Sequence, residues 1–291
     1  GMSTGLSKLD DMLGGLHRGD LYVIGGASSM GKTALAVNIA FGAARSEGRR
    51  VVLFSQEMTR QQLAWRVMSN QARRSGCGKV AYQALRNGSI GQNEYAILKA
   101  GAEHLPKSVK WNTARGLSVD DVKAGVRAAS KSLGGIDVIV IDYLQILEIE
   151  QRKGSNRAAD IQHATMQMKK LAGDMDACIV LLSQLKRLDH REDKRPLLSD
   201  LRESGGIEQD ADTVLLAHRE DYYLERSEPP WEPKDKHTEW WVKMQNAQGK
   251  LDVYVPKQRM GPIGLVQLHF EKETDLIVDE AAQIDDEDGF L

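Results

Sequence analysis

The chain has few of the residues that build a covalent or metal-held scaffold. Its two cysteines, Cys77 and Cys178, lie far apart without CxxC spacing. That excludes a disulfide framework and reads as reduced thiols of a cytosolic protein. Seven histidines form no HxxxH or HExxH pattern, which argues against a zinc site. No apolar run approaches the ~18 residues of a membrane span. Gly1-Met2-Ser3-Thr4 leads into no signal-peptide core, and Gly1 is set aside as a remnant of a cleaved tag. Aromatic residues make up 5% of the chain, too few for a base-stacking platform. Positive charge is not in excess either: 39 Lys and Arg face 41 Asp and Glu, for a net charge of −2. A broadly basic domain is thereby excluded, though a few locally placed cations are not.

What is present suits an ordinary soluble core: 291 residues, 41% of them hydrophobic. Short apolar runs alternate with longer helical patterns, which indicates an α/β fold with a mostly parallel twisted sheet flanked by helices. Leu21-Tyr22-Val23-Ile24, Val51 to Phe54, Ile136 to Ile141, Cys178 to Leu182 and Thr213 to Ala217 read as buried strands. Helices are expected from about Lys32 to Arg45, after an N-cap at Ser118, and from Asn156 to Ala172. From Leu251 onward, alternation such as Val266-Gln267-Leu268-His269-Phe270 predicts short antiparallel strands at a sheet edge. The division expected is a lead-in over 1–18, one catalytic domain over 19–271, and a tail over 272–291. That tail carries Asp285-Asp286-Glu287-Asp288, read as a solvated end.

Gly26-Ala27-Ser28-Ser29-Met30-Gly31-Lys32-Thr33 fits GxxxxGK[ST] at every fixed position. It lies between a strand and a helix, the context that gives the pattern meaning as a P-loop. Glycines let the backbone approach phosphate closely. The N–H groups of Ser28, Ser29, Met30, Gly31 and Ala34, at the loop and helix N-terminus, supply partial positive charge. Lys32 reaches the β- and γ-phosphates of ATP, and the Thr33 hydroxyl ligates Mg²⁺. Asp142 ends a strand of four apolar residues and so emerges beside the metal. Glu57 follows the strand ending at Phe54. It reads either as the group that activates water or as a glutamate favoured by a helix N-terminus. Gln184, at the end of its strand, reads either as a γ-phosphate sensor or as a satisfied loop amide.

Several segments together resemble the motor domain of the DnaB-type replicative helicases, a RecA-like ATPase. Phe54-Ser55-Gln56-Glu57-Met58 resembles the strand with that family's catalytic glutamate. Ile141-Asp142-Tyr143-Leu144-Gln145 resembles its Walker B, and Ser183-Gln184-Leu185 its sensor. Ser199-Asp200-Leu201-Arg202-Glu203-Ser204-Gly205, with Ile207 to Asp212, resembles its DNA-facing loop. Lys257-Gln258-Arg259-Met260-Gly261-Pro262 resembles its finger. The likeness runs from about Thr4 to Phe270. It implies catalytic roles for Glu57, Lys32 and Gln184. It also implies that Arg259, helped by Lys257, reaches the ATP of a neighbouring subunit. Arg202, Glu203 and Gly205 would then serve single-stranded DNA, with Arg202 and main-chain N–H groups on phosphates and Glu203 orienting a basic neighbour. Asn156 and Arg157 would belong to a second channel loop.

The implied assembly is a homo-oligomer, a ring of six subunits that unwinds duplex DNA, with a primase or helicase loader among its partners and no membrane. Alternatives remain open at this point. Arg202 could form a surface pair with Glu203 or Asp200, and Arg259 could be an edge-strand charge. Gly5 to Asp10 and Leu13 to Leu16 suit a RecA- or RadA-like recombination ATPase equally, and a non-motor ATP-binding scaffold is a third reading. The family carries a helical N-terminal domain and linker helix before the motor. Here the motor begins almost at once, as in either a cut chain or a short chain of phage or plasmid type. Met260 stands where the family often has Asn. Trp240-Trp241 precedes the finger as hairpin core or as a subunit contact.

Overall fold

The computed structural model describes residues 1–142, 144–147, 149, 156–186, 188, 191–201, 205–232 and 234–280. Among the described residues, nine strands form one sheet in the order β3-β2-β4-β5-β1-β6-β7-β8-β9. The parallel part comprises β1 (Leu21–Gly26), β2 (Val51–Ser55), β3 (Val109–Asn112), β4 (Val138–Asp142), β5 (Cys178–Gln184) and β6 (Thr213–His218). Three antiparallel strands continue it: β7 (Lys250–Gln258), β8 (Gly264–Glu271) and β9 (Leu276–Val278). The helices are α1 (Ser7–Leu13), α2 (Lys32–Glu47), α3 (Arg60–Arg74), α4 (Tyr82–Asn87), α5 (Gln92–Glu103), α6 (Val119–Leu133), α7 (Arg157–Asp174), α8 (Gly205–Asp210), α9 (Glu220–Leu224) and α10 (Lys234–Ala247).

The strands are apolar throughout because both faces of the sheet are covered. Side chains alternate between faces along each strand. Tyr22 and Ile24, Val51 and Leu53, Val138 and Val140 pack with α1 and α2. Their neighbours Leu21 and Val23, Val52 and Phe54, Ile139 and Ile141 pack with α6 and α7 on the other face. α2 is small and apolar enough to lie buried from Ala34 to Ala44. α6 starts at a capping box, with Ser118 accepting from the Asp121 N–H and the Asp121 carboxylate accepting from the Ser118 N–H at 2.9 Å.

The structure differs from the sequence reading at both ends. Leu6, Leu9, Leu13 and Leu16 belong to the same core as α2. Met2 and Leu16 exchange two backbone hydrogen bonds of 2.7 Å. The Thr4 carbonyl lies so close to Gly42 that any Cβ there would overlap it. At the other end, β9 pairs with β8, and Leu276 and Ile277 are buried. The Asp279 carboxylate accepts from the Ser7 and Lys8 N–H groups at 2.8 Å each. Boundaries at 18 and 271 therefore cut across one packed unit. The acidic run Asp285 to Asp288 lies outside the described residues. β3 went unread because Val-Lys-Trp-Asn at a sheet edge is only half-buried. Trp240 and Trp241 sit on helix α10, not in a hairpin. The Trp240 indole donates to the Leu224 carbonyl at 2.8 Å, and Trp241 is exposed.

One ion cluster ties the lead-in to the sheet. The buried Asp137 carboxylate, just before β4, accepts from Arg50 N, Nε and Nη2 at 2.8, 2.8 and 3.0 Å, and also from Arg18. Burial pushes its carboxyl up, but the two guanidiniums hold it well below the usual carboxylate range. A depressed folded value gives stability that is fully present above the ordinary carboxylate pKa and is lost as pH falls beneath it. Asp137→Asn should cost roughly 2–3 kcal/mol at neutral pH, since charged hydrogen bonds are lost in a buried place. Parent and variant should converge as the pH of a urea melt is lowered through ~4 toward 2. An equal gap at pH 7 and pH 3 would show that the charge is not the cause.

Candidate nucleotide-binding site

Open parallel sheets gather ligands at the carboxyl ends of their strands. β1, β2, β4 and β5 end together there, with Gly26 beside Gln184 and Ser55 beside Asp142 in register. The loop from Ala27 to Gly31 joins β1 to α2. Gly31 has φ 85° and Ser29 φ 65°, so the chain turns through left-handed positions that point successive N–H groups inward. A Cβ on Gly26 would lie 2.8 Å from Lys32 Cγ, so the lysine stem fills the space that glycine leaves. The Lys32 ammonium donates to the Gly26 and Ala27 carbonyls at 2.6 and 2.9 Å. Burial pulls it down to about 8, against the opposing pull of Asp142 and Glu57.

The Thr33 hydroxyl donates to Asp142 Oδ2 at 2.9 Å. Burial raises Asp142 to about 6, while Thr33 and Lys32 work in the other direction. Ser55 shares this small cleft, and its buried hydroxyl has no partner among the described residues. A hydroxyl, a carboxylate and a spare oxygen acceptor form a hard oxygen set that fits a divalent cation with its waters.

A cavity of about 460 Å³ opens over the loop. Ser28 to Ala34 form its floor, and Glu57 and Gln184 face it. Lys32, Arg66, Arg86, Arg219 and Lys272 line it against the carboxylates of Glu57 and Asp275, a balance that suits a polyanion. Glu57 stands two residues before Thr59, and Thr59 is the residue that caps α3. It is therefore not a first-turn glutamate, which removes the helix-dipole explanation of its position. The Gln184 N–H donates to the Gln145 side chain at 3.2 Å.

Sequence reasoning missed Arg66, Arg219 and Asp275. Arg66 Nη1 donates to Asp275 Oδ2 at 2.8 Å and lies over the Tyr82 ring. Asp275 adopts φ 54°, an uncommon backbone for a residue other than glycine. Its carbonyl accepts from the buried Asn38 and Asn70 amides at 2.8 and 2.7 Å. Arg219 donates to the Ser29 carbonyl at 3.3 Å and to Asp221, and it stacks over Phe270. A basic residue recurring on the inward face of α3, nine positions after Glu57, was the one available signal for Arg66.

The finger residues lie elsewhere. Arg259 Nη1 donates to Asp212 Oδ1 at 3.0 Å, and Nη2 to the Gln209 carbonyl at 2.6 Å. Lys257 donates to the Glu208 carbonyl. Asp212 accepts from Leu21 N at the first residue of β1, the end opposite the P-loop. The length of β1, about 17 Å at ~3.3 Å per residue, separates the two ends. Gly205 opens α8, while Arg202 and Glu203 lie outside the described residues. Asn156 caps α7 by accepting from Ala159 N at 2.9 Å, and Arg157 donates to the Gln145 carbonyl at 3.2 Å.

A P-loop between β1 and α2, an acid at the end of β4, and a parallel sheet extended by antiparallel strands define a RecA-like P-loop ATPase. The match to known proteins is narrower. Residues 1–279 match the model of the DnaB-like helicase C terminal domain, and the chain belongs to that family. It is 36% identical over 285 residues to the replicative DNA helicase DnaB of Rickettsia felis, covering 94% of this chain and 56% of that protein. It is 34% identical over 288 residues to the replicative DNA helicase DnaC of Bacillus subtilis, covering 98% and 58%. The chain thus spans somewhat over half the length of these relatives. Among solved structures, one described as an ATPase domain superposes with a TM-score of 0.80 at 29% identity, covering 95% of this chain and 90% of that one. A DnaB-like replicative helicase, described with its interactions with primase, gives a TM-score of 0.78 at 29% identity over 95% of this chain and 63% of that one.

Proposed function

We propose that this chain is the ATP-driven motor of a replicative DNA helicase, acting as a ring of six copies on single-stranded DNA. Lys32 and the loop N–H groups from Ser28 to Ala34 hold the triphosphate. Glu57 orients and deprotonates the attacking water, and Gln184 senses the γ-phosphate. Arg66 and Arg219, which both line the cavity, add positive charge in cis. A magnesium ion held by Thr33 and Asp142 would offset charge on the β- and γ-phosphate oxygens. Arg259 and Lys257 complete the site of the next subunit. Arg202, Glu203 and Gly205 serve the single-stranded DNA. The likeness to a helicase described with primase supports a primase as a further partner.

The observation that carries this reading is the position of Arg259. It sits at the start of β1, about 17 Å from the P-loop at the strand's end and beyond the reach of an arginine side chain. Its guanidinium is half-exposed. A finger so placed can complete only another copy's site. ATP hydrolysis per subunit with Mg²⁺ should therefore climb steeply with protein concentration and rise further with single-stranded DNA. A low rate that single-stranded DNA does not raise, in rings verified by sedimentation, would overturn the motor reading.

A further inference from the structure

Arg259 is held by more than its own strand. Asp212, the residue before β6, contacts it twice. Its side-chain Oδ1 accepts from Arg259 Nη1 at 3.0 Å, and its carbonyl accepts from the Arg259 N–H at 2.9 Å. The other carboxylate oxygen accepts from Lys169 on α7 and from Leu21 N at 2.8 Å. The Asp212 N–H donates to the Leu21 carbonyl at 2.9 Å. Asp212 is thus buried and fixed from three elements while it grips the finger.

The second contact of the finger is the C-terminal turn of α8. Arg259 and Lys257 donate to the Gln209 and Glu208 carbonyls there. These are the acceptors that a helix end leaves without internal partners, and they favour cations. Asp210 adds a carboxyl beside both cations, with a buried oxygen that has no hydrogen-bond partner among the described residues.

A long arginine projecting from a subunit edge would otherwise sample many rotamers. Stabilising charge in a neighbour's transition state requires it to sit within a fraction of an ångström of one place. Here the main chain and the guanidinium of Arg259 are referenced to the same buried carboxylate residue. That residue is itself bonded to the first residue of the strand that carries the P-loop.

We infer that Asp212 is the positioning residue of the trans-acting finger, holding Arg259 in the orientation that serves the adjacent subunit. This rests on the motor reading above, and the test separates the two. Asp212 lies at the end of β1 opposite its own P-loop. A merely structural aspartate capping Leu21 would affect folding regardless of what stands at position 259. A positioning residue acts only through Arg259.

The experiment is a double-mutant cycle on the assembled ring, with Asp212→Asn and Arg259→Ala measured singly and together for kcat and KM. Asp212→Asn keeps an acceptor for Leu21 but loses the charge. With Arg259 present it should lower kcat by about 10²-fold, the scale of a ~1 Å misplacement, with KM unchanged within about twofold. With Arg259→Ala in place it should change kcat by less than about twofold. An equal loss in both backgrounds, or no loss in the first, overturns the inference and leaves the motor reading standing. If Arg259→Ala alone hydrolyses at the parent rate, the trans finger itself is wrong. Should Asp212→Asn not assemble, Asp212→Glu, which keeps the charge and shifts it by one methylene, enters the same cycle with the same outcomes.

Discussion

Replacing Arg259 by alanine should lower ATP hydrolysis by assembled rings about 10³-fold or more, the usual worth of an arginine that meets the transferring phosphoryl group. Nucleotide affinity of the single subunit should barely change, because Arg259 lies a full strand length from its own P-loop. Asp212 is buried although the arginine is half-exposed, so losing its guanidinium partner should lower stability by about 1–3 kcal/mol. These three readouts point in different directions for the two explanations of this residue. β7 lies between β6 and β8, so Arg259 is not an edge-strand charge, against that expectation; a residue that only tied β7 to Asp212 and α8 would leave kcat intact in assembled rings and lower the melting temperature alone. A trans finger removes kcat in rings that remain assembled and leaves nucleotide binding close to the parent. Stopped-flow binding of a fluorescent ATP analogue, thermal melts and steady-state turnover on the same preparation would decide. Turnover at the parent rate in rings confirmed by sedimentation would exclude the finger.

Half of the site was legible because its residues are tied to strand ends. Gly26, Glu57, Asp142 and Gln184 each follow a short run of buried apolar residues, and parallel strands deliver their last residues to one edge. Lys32 and Thr33 follow from the loop pattern itself. The other half comes from segments with no pattern of their own. Arg219 follows β6 and Asp275 sits in the turn between β8 and β9, and only the tertiary fold brings them over the P-loop. Asp275 was hidden further by the reading of 272–291 as a tail, when Leu276 to Val278 extend the sheet. The lead-in was misjudged for a related reason. Leu6, Leu9, Leu13 and Leu16 are spaced as a helical stripe and its flanks, yet their partner, α2, is itself apolar on all sides and gave no hint of which face it offers. The cap at Asn156 shows the limit in the other direction, since a residue expected to line a channel loop spends its side chain on starting α7.

Glu57→Gln should give the other large effect, a fall in kcat of about 10²–10⁴-fold, or roughly 3–5 kcal/mol of barrier, the range for losing a positioned general base. The amide keeps the shape and can still orient a water, but it cannot take its proton. The structure makes this a clean substitution. Glu57 is exposed, faces the cavity, and precedes the Thr59 cap instead of forming part of it. Thr59 and Gln62 satisfy the start of α3 between themselves, at 2.9 and 3.2 Å. Stability should therefore change by no more than about 0.5 kcal/mol. Removing the negative charge near Lys32 should leave ATP affinity equal to the parent or modestly higher. The variant would then bind ATP and assemble with its neighbours while failing to turn over, and a single-turnover quench would show bound triphosphate persisting. If triphosphate were instead consumed at the parent rate, Glu57 would be a bystander and the base would have to be sought elsewhere along the cavity wall. If ATP binding were lost together with turnover, the carboxylate would be holding the loop and not the water.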